Sequence, residues 1–99
     1  MSTVLELARK TLKIEIAGLE ELSKRLDREF EQAVNLLYDC QGKVILAGMG
    51  KSGLIAQKIA ATLTSTGTPA LFLHAGESSH GDLGIITRQD AIIAFSYSG

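Results

Sequence analysis

Residues 43–53, KVILAGMGKSG, decide how the rest of the chain is read. Val44 to Ala47 form a short apolar run of the kind a buried parallel strand shows. Gly48-Met49-Gly50 and Lys51-Ser52-Gly53 follow, and a helical pattern continues from Leu54 to Leu63. Strand, glycine turn and helix open a βαβ unit. The first N–H groups of such a helix lack internal partners and carry partial positive charge, so the turn is an anion site by construction. Lys51 adds a full charge beside it.

Three anions come into question. A nucleotide P-loop needs a glycine five positions before Gly50, and Ile45 stands there, inside the strand. A dinucleotide site matches Gly48-x-Gly50-x-x-Gly53, but it also needs an acid at the end of the second strand. That strand ends Leu71-Phe72-Leu73-His74, and the nearest acid, Glu77, lies beyond it. The third reading is a sugar phosphate. Parallel sheets bind ligands outside the carboxyl ends of their strands. Three polar segments are expected there: 48–53, 74–82 and 96–99. The hydroxyls of Ser96 and Ser98 and the N–H groups of that turn suit a phosphate.

Around this centre, residues 2–40 read as helix. Ser2 or Thr3 can cap its start, with Glu6 completing a capping box. Leu5, Ala8, Leu12, Ile16, Leu19, Leu22, Leu26 and Phe30 recur at threes and fours. Gly18 predicts a break, hence two helices. The segment reads either as an amphipathic cover for the core or as an oligomerisation helix. Gly42 is expected to end it in a left-handed cap. Strands are predicted at 43–47, 70–73 and 91–95, the last buried on both faces. The intervening helix is predicted over 52–64, with Ile55, Ile59, Ala60 and Leu63 inward. It stops before Gly67, and Pro69 prevents its restart. Residues 77–83 suggest one helical turn.

Ninety-nine residues make one small domain, burying only about 60–65% of the unfolded surface. The net charge of −1 carries no basic excess, so nucleic acid is not an expected partner. No run approaches the ~18 apolar residues of a membrane helix, nor does the N-terminus have a signal-peptide core. Cys40, the one cysteine, is expected to be a buried small hydrophobe in a reducing, cytoplasmic compartment. His74, His80 and Cys40 have no metal-ligand spacing. Residues 1–41 are expected to be a helical segment. Residues 42–99 are expected to be the N-terminal portion of a larger α/β domain, since strand three should lead into another helix.

GMGKSG (48–53), STGTPA (65–70) and SHGDLG (79–84) occur together with SYSG (96–99). In combination they resemble the first half of a SIS (sugar isomerase) domain, nearest to arabinose-5-phosphate isomerases of the KdsD/KpsF/GutQ type. The resemblance runs from Lys43 to Gly99. It departs at HAGE (74–77) for HPGE, at SYSG for SNSGE and at Leu54 for histidine. It implies an α/β fold: N-terminal helices, then the first half of a flavodoxin-like parallel sheet in a three-layer αβα arrangement. It also implies a tetramer and no organic cofactor. The activity implied is interconversion of D-arabinose 5-phosphate and D-ribulose 5-phosphate through an enediol, for the Kdo sugar of lipopolysaccharide or capsule. A non-catalytic phosphosugar sensor, or an isomerase of another phosphosugar, are the alternatives. Further acidic and histidine groups of the family's site fall after Gly99.

Such an isomerisation needs a base, an acid and positive charge where the oxyanion develops. The resemblance gives Lys51 the electrostatic role. His80 is a candidate for ring opening or hydroxyl contact, or else a loop histidine held for structure. Gly50, Ser52, Glu77, Ser96, Ser98 and Gly99 are the expected substrate contacts. Ser52 is equally a helix cap. Glu77 orients Lys51 or a sugar hydroxyl, or caps the turn after it. His74 and Asp82 read as structural.

Overall fold

The computed structural model describes residues 3–76 and 82–96. The chain divides into two compact units, Met1–Val34 and Asn35–Gly99.

Helix α1 spans Val4–Arg25 and α2 spans Arg28–Tyr38. Thr3 caps α1 through the expected box. The Glu6 N–H donates to Thr3 Oγ1 at 3.1 Å, and the Thr3 N–H donates to Glu6 Oε2 at 3.2 Å. The break predicted at Gly18 is not there. A glycine in a helix interior costs only about 1 kcal/mol, which a 22-residue helix absorbs. The chain breaks instead at Leu26-Asp27. Leu26 is extended (ψ 123°), and Asp27 Oδ1 accepts the Glu29 N–H at 3.0 Å, starting the next helix. No side chain of α1 or α2 is buried within this chain.

The second unit holds strand β1 (Val44–Gly48), helix α3 (Gly50–Ser65), strand β2 (Ala70–His74), a 3-10 turn (Asp82–Ile85) and strand β3 (Ala91–Ala94). The strands are parallel in the order β2-β1-β3. Val44 aligns with Ala70 and Ala91, and Leu46 with Phe72 and Ile93. Side chains in register share a face. One face therefore carries Val44, Leu46, Phe72 and Ile93, and there Val44 and Leu46 pack with Ala56 and Ala60 of α3. Ile45 and Leu73 point the other way and are buried too.

Helix α3 turns Ile59, Ala60 and Leu63 to the core as expected, but its buried line also takes in Gly53 and Ala56, and Ile55 is exposed. The cause is the close approach of helix and strand. A Cβ on Gly48 would lie 3.0 Å from the Ser52 carbonyl, and one on Gly53 would lie 3.2 Å from the Gly48 oxygen. A side chain at either position would crowd that contact, which turns Gly53 inward. At the other end α3 closes in a Schellman motif, as glycine and proline foretold. The Thr68 N–H reaches the Leu63 oxygen at 2.8 Å, the Gly67 N–H reaches Thr64 at 3.2 Å, and Gly67 has φ +100°.

Strand β3 corrects a second expectation. Ala91 is buried, but Ile92 and Ala94 are exposed, so it is not covered on both faces in this chain. It is an edge strand here. Gly42 corrects a third, since it is not left-handed. A Cβ there would collide with the Asp90 carboxylate and the Gln89 peptide. The Asp90 side chain, 2% exposed, is clamped just before β3. It accepts the Lys43 N–H at 2.9 Å, the Lys43 ammonium at 2.8 Å and the Thr87 N–H at 2.7 Å. The bond to the Lys43 ammonium, with the backbone N–H groups of Thr87 and Lys43, holds its carboxyl well below the usual carboxylate range. Lys43 Nζ also donates to the Ile85 carbonyl at 2.6 Å, tying the 3-10 turn to β1. Cys40 is half-buried and not a plain hydrophobe: its thiol donates to the Gln89 carbonyl at 3.2 Å.

Candidate functional site

The order β2-β1-β3 makes the gap between β1 and β3 a switch point, because the chain leaves β1 toward one side and reaches β3 on the other. Open parallel sheets place ligands outside the carboxyl ends of strands at such a point. Here β1 ends at Gly48, and the Phe95 N–H still donates to the Ala47 oxygen at 2.9 Å. Ser96 is thus the first residue past the β1–β3 pairing, one strand spacing (about 4.8 Å) from the β1 end. The glycine turn and the start of the serine turn are brought to one edge. Glu77, His80, Ser98 and Gly99 lie outside the described residues.

The α3 N-terminus begins two residues earlier than its sequence pattern suggests. Met49 is the N-cap, extended at φ −144° and ψ 161°, and its side chain makes no cap bond. The first intrahelical bond runs from the Gly53 N–H to the Met49 oxygen at 3.2 Å. That leaves the N–H groups of Gly50, Lys51 and Ser52 without a side-chain cap. Ser52 is therefore not the cap but the third residue of the helix, and half-buried. Gly50 takes φ +61°, and a Cβ there would meet no atom within 4 Å. Its glycine is a conformational need, whereas those at Gly48 and Gly53 are steric.

Lys51 is exposed and, among the described residues, has no ion-pair partner. With Met49, Ser52 and Ile55 it lines an open cavity of about 560 Å³. That volume suits a small phosphorylated sugar. The three uncapped N–H groups and an ammonium supply positive potential, while Met49 and Ile55 supply apolar wall. Sequence reasoning missed both of the latter. Helical period groups Ile55 with Ile59, Ala60 and Leu63, and only the docking of α3 leaves it outside that inward line. Among the described residues no cluster of three or more His, Cys, Asp or Glu side chains could hold a metal ion.

His74 ends β2 opposite Gly48 and is half-buried. Its Nδ1 accepts the Gly76 N–H at 3.1 Å, and its ring meets Phe72 edge-on at 6.4 Å. The sequence expectation of a structural histidine is consistent with these contacts.

Comparisons with known proteins agree with this architecture. The SIS domain profile matches residues 36–99. Arabinose 5-phosphate isomerase KdsD of Yersinia pestis is 53% identical over 91 residues, which cover 92% of this chain and 28% of KdsD. Arabinose 5-phosphate isomerase GutQ of Salmonella typhi is 50% identical over 96 residues, covering 97% of this chain and 30% of GutQ. An E. coli CFT073 protein solved in complex with a phosphosugar superposes with a TM-score of 0.87 at 41% identity, covering 97% of this chain and 52% of that one. The chain thus spans less than a third of the curated relatives' length. With strand order, glycine turn and profile all in agreement, the chain belongs to the SIS domain family.

Proposed function

We propose that this chain supplies the Lys51 side of an arabinose-5-phosphate isomerase site. The observation that carries the reading is the uncapped α3 N-terminus after β1, with Lys51 beside an open, part-apolar cavity. Relatives bearing that activity's name support it. In the forward direction a base removes the C2 proton of the open-chain aldose. The electron pair forms an enediolate with its charge on O1, the hydroxyl proton passes from O2 to O1, and a proton delivered to C1 leaves the carbonyl at C2. Lys51 stabilises the oxyanion that develops on the C1–C2 unit. Gly50 and Ser52 offer backbone N–H groups, and Ser96 and Ser98 with Gly99 receive the phosphate. His80 assists ring opening, and Glu77 orients Lys51 or a sugar hydroxyl. The proton-transferring carboxylate comes from sequence after Gly99 or from a neighbouring subunit. The reaction moves only protons, so it needs no organic cofactor.

The working form is a cytoplasmic homo-oligomer, with a tetramer as the expected size and Kdo supply as the role. Residues 1–41 form its helical segment and 42–99 the start of the SIS domain. Leu12, Ile16, Leu19 and Leu22, each more than half exposed, form a helical-period row that suits burial against another copy. No helix of the described residues is long and apolar enough to cross a membrane.

The test is Lys51→Met in a protein of the relatives' length, assayed with D-arabinose 5-phosphate. Turnover should fall by about 10²-fold or more, the scale of losing one oxyanion-stabilising group, with the fold intact by circular dichroism. Wild-type protein that binds the sugar phosphate without turning it over would point to a sensor module.

A further inference from the structure

We propose that His74 is a positioning residue for Lys51, acting through its Nδ1 as a side-chain turn acceptor. This deepens the isomerase reading and rests on it for its kinetic consequence. The bond from the Gly76 N–H to His74 Nδ1 (3.1 Å) links residue i to i+2. That is the turn asparagine and aspartate make, with an imidazole nitrogen in place of the carbonyl oxygen. Because Nδ1 accepts, the neutral ring carries its proton on Nε2.

The closed turn braces the start of α3 by two routes. Inside it, the Ala75 N–H donates to the Gly48 oxygen at 3.1 Å, so the end of β2 is tied to the last residue of β1. Gly76 packs on the ring and on Met49: a Cβ there would lie 3.1 Å from His74 Cε1 and 3.7 Å from Met49 Sδ. Met49 caps α3 and stands two residues before Lys51. The second route runs through Phe72, whose edge-on ring contacts His74 and whose Cζ would be 3.6 Å from a Cβ on Gly53. The His74 ring is thus linked through Gly76 to Met49, two residues before Lys51, and through Phe72 to Gly53. Met49 has no side-chain cap bond of its own, so the brace comes from β2.

Three variants separate the two nitrogens in a protein of the relatives' length. His74→Asn keeps an acceptor at the Nδ1 position, His74→Gln reaches the Nε2 position, and His74→Ala keeps neither. His74→Ala should lower kcat about tenfold, within the range that misplacing a catalytic group produces, with little change in KM. His74→Asn should recover most of kcat and His74→Gln should not. Recovery by glutamine but not asparagine, or an alanine variant with wild-type kcat, overturns the proposal. Nitrogen-15 NMR of the wild-type imidazole should find Nδ1 unprotonated, and the Gly76 amide should exchange faster in His74→Ala than in His74→Asn. A protonated Nδ1 in the neutral ring overturns the proposal by itself. If the wild type lacks isomerase turnover, the isomerase reading fails, and the tautomer and exchange results still decide the role of His74.

Discussion

Gly48 and Gly50 stand two residues apart in one turn, yet they are glycines for opposite reasons, and a pair of substitutions separates the reasons. At Gly48 a Cβ would sit 3.0 Å from the carbonyl carbon and oxygen of Ser52 and 3.1 Å from the Gly53 nitrogen. Carbon contacts are comfortable at roughly 3.5–4.0 Å, so the first turn of α3 must give by a few tenths of an ångström. The opposing atoms are backbone and cannot rotate away. Gly48→Ala should therefore cost about 1–3 kcal/mol, the range of overpacking. Asparagine, being larger, should cost more. At Gly50 the space is empty and the difficulty is φ +61°. Gly50→Ala should cost roughly 1–2 kcal/mol, and Gly50→Asn less, because asparagine tolerates the left-handed region. The order of alanine and asparagine thus reverses between the two sites. Urea unfolding of the four variants reads the order directly, and turnover should fall furthest where the helix start, and Lys51 with it, is displaced. The same order at both positions, or a tolerated Gly48→Asn, would refute the steric account of the β1–α3 contact.

Other outcomes follow from single contacts. Asp90 is held below the ordinary carboxylate range, so its contribution to stability is present above that range and is lost as pH falls through the folded-state value. Asp90→Asn should lower the melting temperature at neutral pH and flatten the acid side of the stability profile, read by thermal melts at several pH values. Leu46→Ala removes a fully buried side chain from the centre of the sheet and should cost about 2–5 kcal/mol in urea unfolding. Changing Ile16 and Leu19 together to aspartate should reduce the assembly size seen by light scattering; an unchanged mass would remove that row from any interface.

Local devices were legible because their partners lie within a few residues. The Thr3–Glu6 box, the Gly67 closure with Pro69 after it, and the strand–glycine–helix unit that carries Lys51 all follow from short spacings. The family signature was legible for the same reason, being runs of adjacent residues. What the chain's own order did not disclose depended on rotation or on distance. The period of α3 announced Ile59, Ala60 and Leu63 as inward but not where the apolar line runs at the helix start. Docking of Gly53 against Gly48 decided that, burying Ala56 and leaving Ile55 to line the Lys51 cavity. Asp90 lies 47 residues from Lys43, and nothing near either one announces their pairing. Gly42 looked like a helix cap and proved to be the space that pairing needs. That the turn at 48–53 sets a lysine beside the free N–H groups of a helix start was thus written in the sequence. Its orientation, its apolar wall and its brace at His74 were decided by the packing of β1, α3 and β2, because only contact between elements fixes how a helix is rotated and which side chain stands behind it.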